Sequence, residues 1–337
     1  MRTFVVILVI LGIMAAGVFE WANAAWDQPG PATADGQPRV LLIPPHTRAH
    51  AVAQMLHDDG ALNYPLAFEF DLRWRHLAEQ VKAGEYALPS GASMADITAI
   101  LVSGKSIQHK LTAAEGLTSD MILRIVAADP VLVGDSGPVP AEGTLLPETY
   151  LFVRGETRAQ LLAKMTRAQQ QFLAQQWAGR AAGLPLASPR QAVTLASIVE
   201  KETALPEERR HIASVFVNRL KDGMKLQSDP TIIYGLTKGY PLGRGIRQSE
   251  IEGATPYNTY VIDGLPPSPI ANPGKDAIAA VLNPEETKDL YFVANGKGGH
   301  VFAASMAEHE RNVAAWRREE RARDVAPAPM AHPGHHG

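Results

Sequence analysis

The chain has 337 residues, 46% hydrophobic and 20% charged, with a formal net charge of -3, a length that suits about two domains. The near-neutral balance excludes a broadly basic nucleic-acid surface. The absence of cysteine excludes disulfides, thiolate metal sites and a cysteine nucleophile, and 25 prolines with 28 glycines predict much loop.

From the N-terminus, Phe4 to Phe19 carries no charge, follows Arg2 and is closed by Glu20. As a helix this run rises roughly 24 Å, a little short of a ~30 Å hydrocarbon core, and Trp21 to Trp26 extends it into the interface. Residues 1–25 therefore read as a membrane helix with its positive end in the cytoplasm and the rest of the chain outside. Ala22-Asn23-Ala24 also fits a signal-peptidase site, so composition leaves an uncleaved anchor and a cleaved signal both open. Residues 26–37 read as a polar linker of the kind that rarely packs.

An extended segment, a turn, a small hydroxyl residue and a helix-period run then recur three times, at 39–56, 85–102 and 109–126. Thr47, Ser93 and Thr118 stand where N-caps belong, and Ser93 with Asp96 has capping-box spacing. The match is too loose for a solenoid and predicts small strand–helix units, with Leu66 to Val81 as a further helix. Beyond residue 140, Thr157 caps a helix to about Trp177. Ser188-Pro189 starts one to about Thr203, and Leu205-Pro206 starts another that Gly223 ends. Residues 226–302 are rich in Gly, Pro, Asn and Thr. Their short apolar runs, Thr231–Tyr234, Tyr260–Ile262 and Leu290–Val293, read as strands among loops shaping a groove. Residues 303–323 form a charged helix. The tail holding His332, His335 and His336 reads as low-complexity and disordered.

Carboxylates are the natural catalysts in a chain without cysteine. The densest stretch is Ala196-Ser197-Ile198-Val199-Glu200-Lys201-Glu202-Thr203. At about 100° per residue, Glu200 shares a face with Val193, Ala196 and Ser197, while Glu202 lies about 200° away beside Leu195, Ile198 and Val199. The two cannot act as a close pair. Whichever enters a semi-apolar cleft has its pKa raised, as a general acid requires, and periodicity does not choose between them. Further polar clusters are Glu142–Tyr150, Gln227–Thr231, Tyr257–Tyr260 and Gly264–Pro267, whose aromatics, amides and rigid turns suit a carbohydrate groove. Each alone is also ordinary turn chemistry. His300 has no second histidine at metal spacing, and Gly296–Gly299 lacks phosphate-loop spacing, so neither a metal nor a cofactor is expected.

Taken in order, EGTLLPETY (142–150), ASIVEKET (196–203), ASVFVNRL (213–220), LQSDPTIIYG (226–235), TPYNTY (255–260), GLPPSPIANPG (264–274) and YFVANGKGGHVF (291–302) resemble the endolytic murein transglycosylase, or YceG-like, family over about residues 39–315. The resemblance implies an α+β protein. Its parts are a single-pass inner-membrane helix (1–25), a linker (26–37) and a strand–helix region at 38–130 with a LysM-like βααβ subdomain at about 80–104. A mixed α/β catalytic domain follows at 131–315, and then a helix end and tail (316–337). It implies non-hydrolytic cleavage of the MurNAc–GlcNAc β-1,4 bond inside nascent peptidoglycan strands, leaving 1,6-anhydro ends. Glu200, the first glutamate of the run, is the implied acid/base. Because the sugar's own C6 hydroxyl attacks C1, one carboxylate suffices where hydrolysis uses two. Motif position makes Glu148, Gln227, Ser228, Asp229, Tyr257 and Asn258 the candidate substrate-binding residues. Expected partners are glycan strands, the membrane and peptidoglycan synthases, with no nucleic acid. The alternatives are a non-catalytic glycan-binding scaffold of the cell-wall synthesis machinery and a muramidase, which leaves reducing ends.

Overall fold

The computed structural model describes residues 2–325, so the histidines at 332, 335 and 336 lie outside it. The chain divides into two compact units. One is residues 1–110 with 130–133 and 151–156; the other holds the remainder.

The first unit opens with α1 (Arg2–Asp27). Its Val9–Asp27 portion is long and apolar enough to cross a membrane. Ala22-Asn23-Ala24 lies inside this helix, and the next two residues, Ala25 and Trp26, are buried in the unit's core. β1 (Arg39–Ile43), α2 (Ala49–Asp58), α3 (Pro65–Trp74), β2 (Gly84–Leu88) and α4 (Met94–Ser103) follow. β1 and β2 pair antiparallel, from Arg39 opposite Leu88 to Ile43 opposite Gly84. A strand–helix–helix–strand unit thus spans 39–88, and residues 80–104 contribute only its closing strand and α4. The core is built from Ile43, Leu56, Phe68, Leu72, Tyr86, Ile97 and Leu101, all essentially sealed from solvent. The segment 26–37 is not a free linker. Trp26 stacks with Phe68, the Gly30 amide donates to Gly91 O at 3.1 Å, and the Thr33 amide donates to Ser90 Oγ at 2.8 Å.

The chain passes between units through paired strands β3 (His109–Thr112) and β4 (Thr149–Phe152), which flank α5 (Ser119–Ala128) in sequence. The second unit continues with α6 (Arg158–Ala178), α7 (Pro189–Glu202), a 3-10 turn (Pro206–Glu208), α8 (Arg209–Lys221), α9 (Asp229–Thr237), α10 (Gln248–Ile251) and α11 (Lys275–Leu282). The hairpin β5 (Tyr291–Ala294)–β6 (His300–Ala303) and α12 (Met306–Val325) complete it. α7 sits at the centre of its core, with Ala192, Leu195, Ala196, Ile198 and Val199 buried against Ile212, Phe216, Ile278 and Val281.

Side-chain capping explains the starts of α4, α5, α6 and α7. Ser93 and Thr157 form full capping boxes with Asp96 and Gln160. Thr118 and Ser188 each accept one amide. Thr47 does not cap; its hydroxyl donates to Pro44 O, and Arg48 takes the cap position without a side-chain bond. Thr231–Tyr234 is not a strand. It lies within α9, which Ser228-Asp229-Pro230 begins with proline in the first turn. The predicted strand at 260–262 is a turn, while Leu290–Val293 does enter β5.

Candidate active site

The two glutamates of α7 stand in different surroundings, both within the second unit. Glu200 is fastened to a loop. Its Oε2 accepts from the Gly274 amide at 2.9 Å, its Oε1 lies 3.8 Å from Arg209 Nη2, and its side chain is 7% exposed. Arg209 also donates to Glu115 (3.4 Å) and Asp276 (3.3 Å). Burial raises the Glu200 pKa, opposed by the Gly274 amide and helped by the charge of Glu115. On the same face Ser197 Oγ accepts the Ile270 amide at 3.0 Å. This side of α7 holds the 270–274 segment in place. The same segment is tied to residues 116–119 and 145 by Asn272, which is fully buried and bonded through both its backbone and its amide side chain.

Glu202, the last residue of α7, faces a cavity of about 360 Å³ with Arg219, Gln227, Asp229, Tyr260, Phe292 and His309. Ser228 Oγ donates to Glu202 Oε1 at 2.5 Å. Ser228 occupies the N-cap position of α9 yet makes no cap bond; its hydroxyl is turned to the carboxylate instead. Burial pushes the Glu202 pKa up to about 7, the Ser228 bond and Arg219 oppose this, and the charge of Asp229 adds to it. Tyr260 Oη donates to Asp229 Oδ1 at 2.7 Å, and burial together with Asp229 raises the Tyr260 pKa. Gln227 adopts φ +52°, a conformation rare for a residue with a side chain. Its amide donates to Thr259 O, and its Oε1 accepts from Arg219. Backbone strain of this kind gathers at functional sites.

The structure therefore brings Gln227, Ser228 and Asp229 to Glu202 and not to Glu200. Glu148 is half-exposed and paired with Lys275, which holds its carboxyl below the usual range. Tyr257 is edge-on to Tyr234, with its hydroxyl 2.7 Å from Ser268 Oγ. Asn258 is fully buried, and its amide donates to the carbonyls of Glu250, Ile251 and Gly253. It is a loop brace and offers no donor to a ligand. Glu142 accepts the Ser119 amide at the start of α5, a favourable place for a carboxylate. His300 is engaged with Glu208 through both its ring and its backbone amide. Arg219 and His309 are not among the residues the sequence singles out, although Arg219 falls inside the ASVFVNRL run; Tyr260 closes the Tyr257–Tyr260 cluster, and Phe292 lies within the YFVANGKGGHVF run. Among the described residues no group of histidine or carboxylate side chains could hold a metal ion.

With this geometry in view, comparisons with known proteins are informative. A family model described as YceG-like matches residues 41–315. An endolytic murein transglycosylase of Streptococcus pneumoniae (strain D39) is 30% identical over an alignment taking in 93% of this chain and 65% of that protein. The Bacillus subtilis protein of the same name is 27% identical, over 89% of this chain and 90% of its own length. The chain thus spans slightly less than two thirds of the streptococcal relative. A crystallised yceG-like protein of Listeria monocytogenes matches with a TM-score of 0.50 and 29% identity, over 82% of this chain and 98% of that one.

Proposed function

The chain belongs to the YceG-like family, and on that footing we propose that it is an endolytic peptidoglycan lytic transglycosylase whose acid/base is Glu202. The names of its Streptococcus and Bacillus relatives support the reaction class. The observation that carries the residue assignment is the Glu202 cavity, where a carboxyl with a pKa near 7 faces open space among polar groups. Glu200, which the family resemblance alone would favour, has its carboxylate occupied by the Gly274 amide and Arg209; we assign it to positioning the 270–274 segment.

In this reading the protonated Glu202 delivers its proton to the glycosidic oxygen between MurNAc and GlcNAc as the bond from C1 to that oxygen breaks. The C6 hydroxyl of the same MurNAc forms the new bond to C1, and its proton passes to the Glu202 carboxylate. The acid is regenerated, no water is consumed, and the product carries a 1,6-anhydro end. A pKa near working pH lets one group serve both proton transfers. Asp229, oriented by Tyr260, lies close enough to influence Glu202 and supplies negative charge as positive charge develops on the sugar ring. Gln227 and Arg219 complete the wall that orients the sugar. We further propose that α1 anchors the chain in the inner membrane with the body outside the cytoplasm, where cuts in nascent strands would end their elongation beside peptidoglycan synthases.

The test is mass spectrometry of products from purified glycan strands treated with wild type, Glu202→Gln and Glu200→Gln. The expected result is anhydro-ended fragments from wild type and Glu200→Gln and none from Glu202→Gln. Reducing ends would mean a muramidase, strand binding without cleavage by wild type would mean a scaffold, and activity lost only in Glu200→Gln would transfer the role to that residue.

A further inference from the structure

α3 is apolar on two opposite sides. Phe68 and Leu72 point into the core and are fully buried. Leu66, Phe70 and Trp74 recur at every fourth position on the other side and are 74%, 50% and 59% exposed. Tyr64, just before the helix, is 50% exposed. A stripe of this kind, two aromatics and a leucine in water, is not the ordinary scatter of surface apolar residues.

The stripe is continuous with α1. Trp21 packs edge-on to Tyr64 at 5.3 Å between ring centroids, and Phe19 packs edge-on to Trp74 at 5.6 Å. These two α1 residues are about 3 Å apart along their helix, whereas Tyr64 and Trp74 are about 15 Å apart along theirs. The two ends of α3 thus meet almost one level of α1, which requires α3 to cross α1 steeply. That level is the end of the apolar run, where Glu20 first brings a charge. A shallow groove of about 470 Å³ between Trp21, Tyr64, Pro65, Leu66 and Phe70 continues the apolar surface. Arg75 sits beside it, donating to Asn23 and lying over the Trp26 ring.

We propose that α3 is a membrane-docking helix, lying in the headgroup–acyl boundary with Leu66, Phe70 and Trp74 inserted beside α1. The occupant of the exposed face is lipid, because a helix crossing the bilayer carries the level of Phe19 and Trp21 to the interface, where tryptophan and tyrosine are favoured. Interfacial helices bury their apolar side about 5–10 Å into that boundary. Docking would fix the orientation of the first unit at the bilayer surface. The proposal rests on reading α1 as an anchor.

The absence of native cysteine permits a direct test on the full chain. Single nitroxide labels at Leu66→Cys, Phe70→Cys, Ile13→Cys and Gln54→Cys are read by power saturation with oxygen and a water-soluble nickel chelate. The protein is reconstituted at high dilution in phosphatidylethanolamine–phosphatidylglycerol vesicles. All four positions are exposed, so near-ultraviolet circular dichroism should stay that of wild type. The expected result is a deep label at 13, an aqueous label at 54, and labels at 66 and 70 that are reached by oxygen, shielded from nickel and at interfacial depth. Aqueous labels at 66 and 70 with a deep label at 13 would overturn the docking while leaving the anchor. An aqueous label at 13 would overturn both. Labels at 66 and 70 shielded from both relaxants would show a protein partner, which also overturns it.

Discussion

Removing the Ser228 hydroxyl distinguishes the two glutamates without touching either. That hydroxyl donates to Glu202 at 2.5 Å and favours its charged form. A hydrogen bond to a charged group contributes about 1.5–3 kcal/mol, and one pKa unit corresponds to about 1.4 kcal/mol. Ser228→Ala should therefore raise the Glu202 pKa by about 1–2 units from its starting point of about 7. The acid must be protonated to cleave, so rate falls as pH rises through this pKa. The alkaline limb of the pH profile should move upward by the same amount. Asp229→Asn carries the opposite sign: it removes a negative charge that raises the Glu202 pKa, so the limb should move downward. The assay is kcat/KM for release of anhydro-ended fragments across about pH 5–10, since kcat/KM reports ionisations of the free enzyme. If both variants leave the limb in place, or move it the same way, Glu202 is not the acid. A limb that answers instead to Glu115→Gln, which removes a charge that raises the Glu200 pKa, would identify Glu200.

Glu202→Gln should reduce cleavage by about 10²–10⁴-fold, the usual loss for a general acid–base group, while Glu200→Gln should keep activity within severalfold and lose about 1–3 kcal/mol in urea unfolding as Arg209 loses one partner. Because burial pushes the folded pKa of Glu202 up to about 7 from an ordinary 4.5, its own contribution to stability should be fully present below pH 4.5 and be lost as pH rises through 7; Glu202→Gln should remove that component of the pH dependence and be more stable than wild type at pH 8, by on the order of 1–3 kcal/mol. Gly143→Ala should destabilise by about 2–4 kcal/mol, since Gly143 has φ +77° and a Cβ there would stand 2.6 Å from Pro269 and 2.7 Å from Val193; a melting temperature within 2 °C or so of wild type would contradict this. Asn258→Ala should lower the melting temperature by leaving three loop carbonyls without their donor, and at a temperature where it remains folded its KM for glycan should be that of wild type.

Local chemistry made much of the helical framework legible. Ser93, Thr118, Thr157 and Ser188 each announce a helix because a hydroxyl before an apolar-periodic run has an unpaired amide to satisfy. α9 is hard to read locally because Thr231, Ile232 and Ile233 suit a strand, and the Ser-Asp-Pro start signal before them also makes a polar cluster. α11 starts at Gly274 with no side-chain cap and runs for eight residues, which leaves little periodicity to read. The resemblance implies a strand–helix–helix–strand order, but where it falls depends on β1 pairing with β2 across two helices, a long-range fact that no local pattern carries. The site divided the same way. The helical wheel correctly separated Glu200 from Glu202, but the choice between their surroundings depends on Ser228 and Arg219, brought in by later turns of the chain.

The two cations near these glutamates differ in what matches their charge. Arg209 faces three carboxylates, those of Glu200, Glu115 and Asp276, so its charge is matched by fixed negative partners. Arg219 donates instead to the carbonyls of Leu290, Lys225 and Leu226 and to Gln227 Oε1. All four acceptors are neutral, and its influence on Glu202 acts through space, not through an ion pair. An ion pair would hold Glu202 ionised and depress its pKa, as Lys275 does for Glu148. Glu202 is also the last residue of α7, where the negative end of the helix dipole disfavours a further negative charge. Burial, Asp229 and the helix end therefore favour the neutral acid. Ser228 and Arg219 oppose them, and in the proposed assignment this balance is what lets a single residue both give and take a proton.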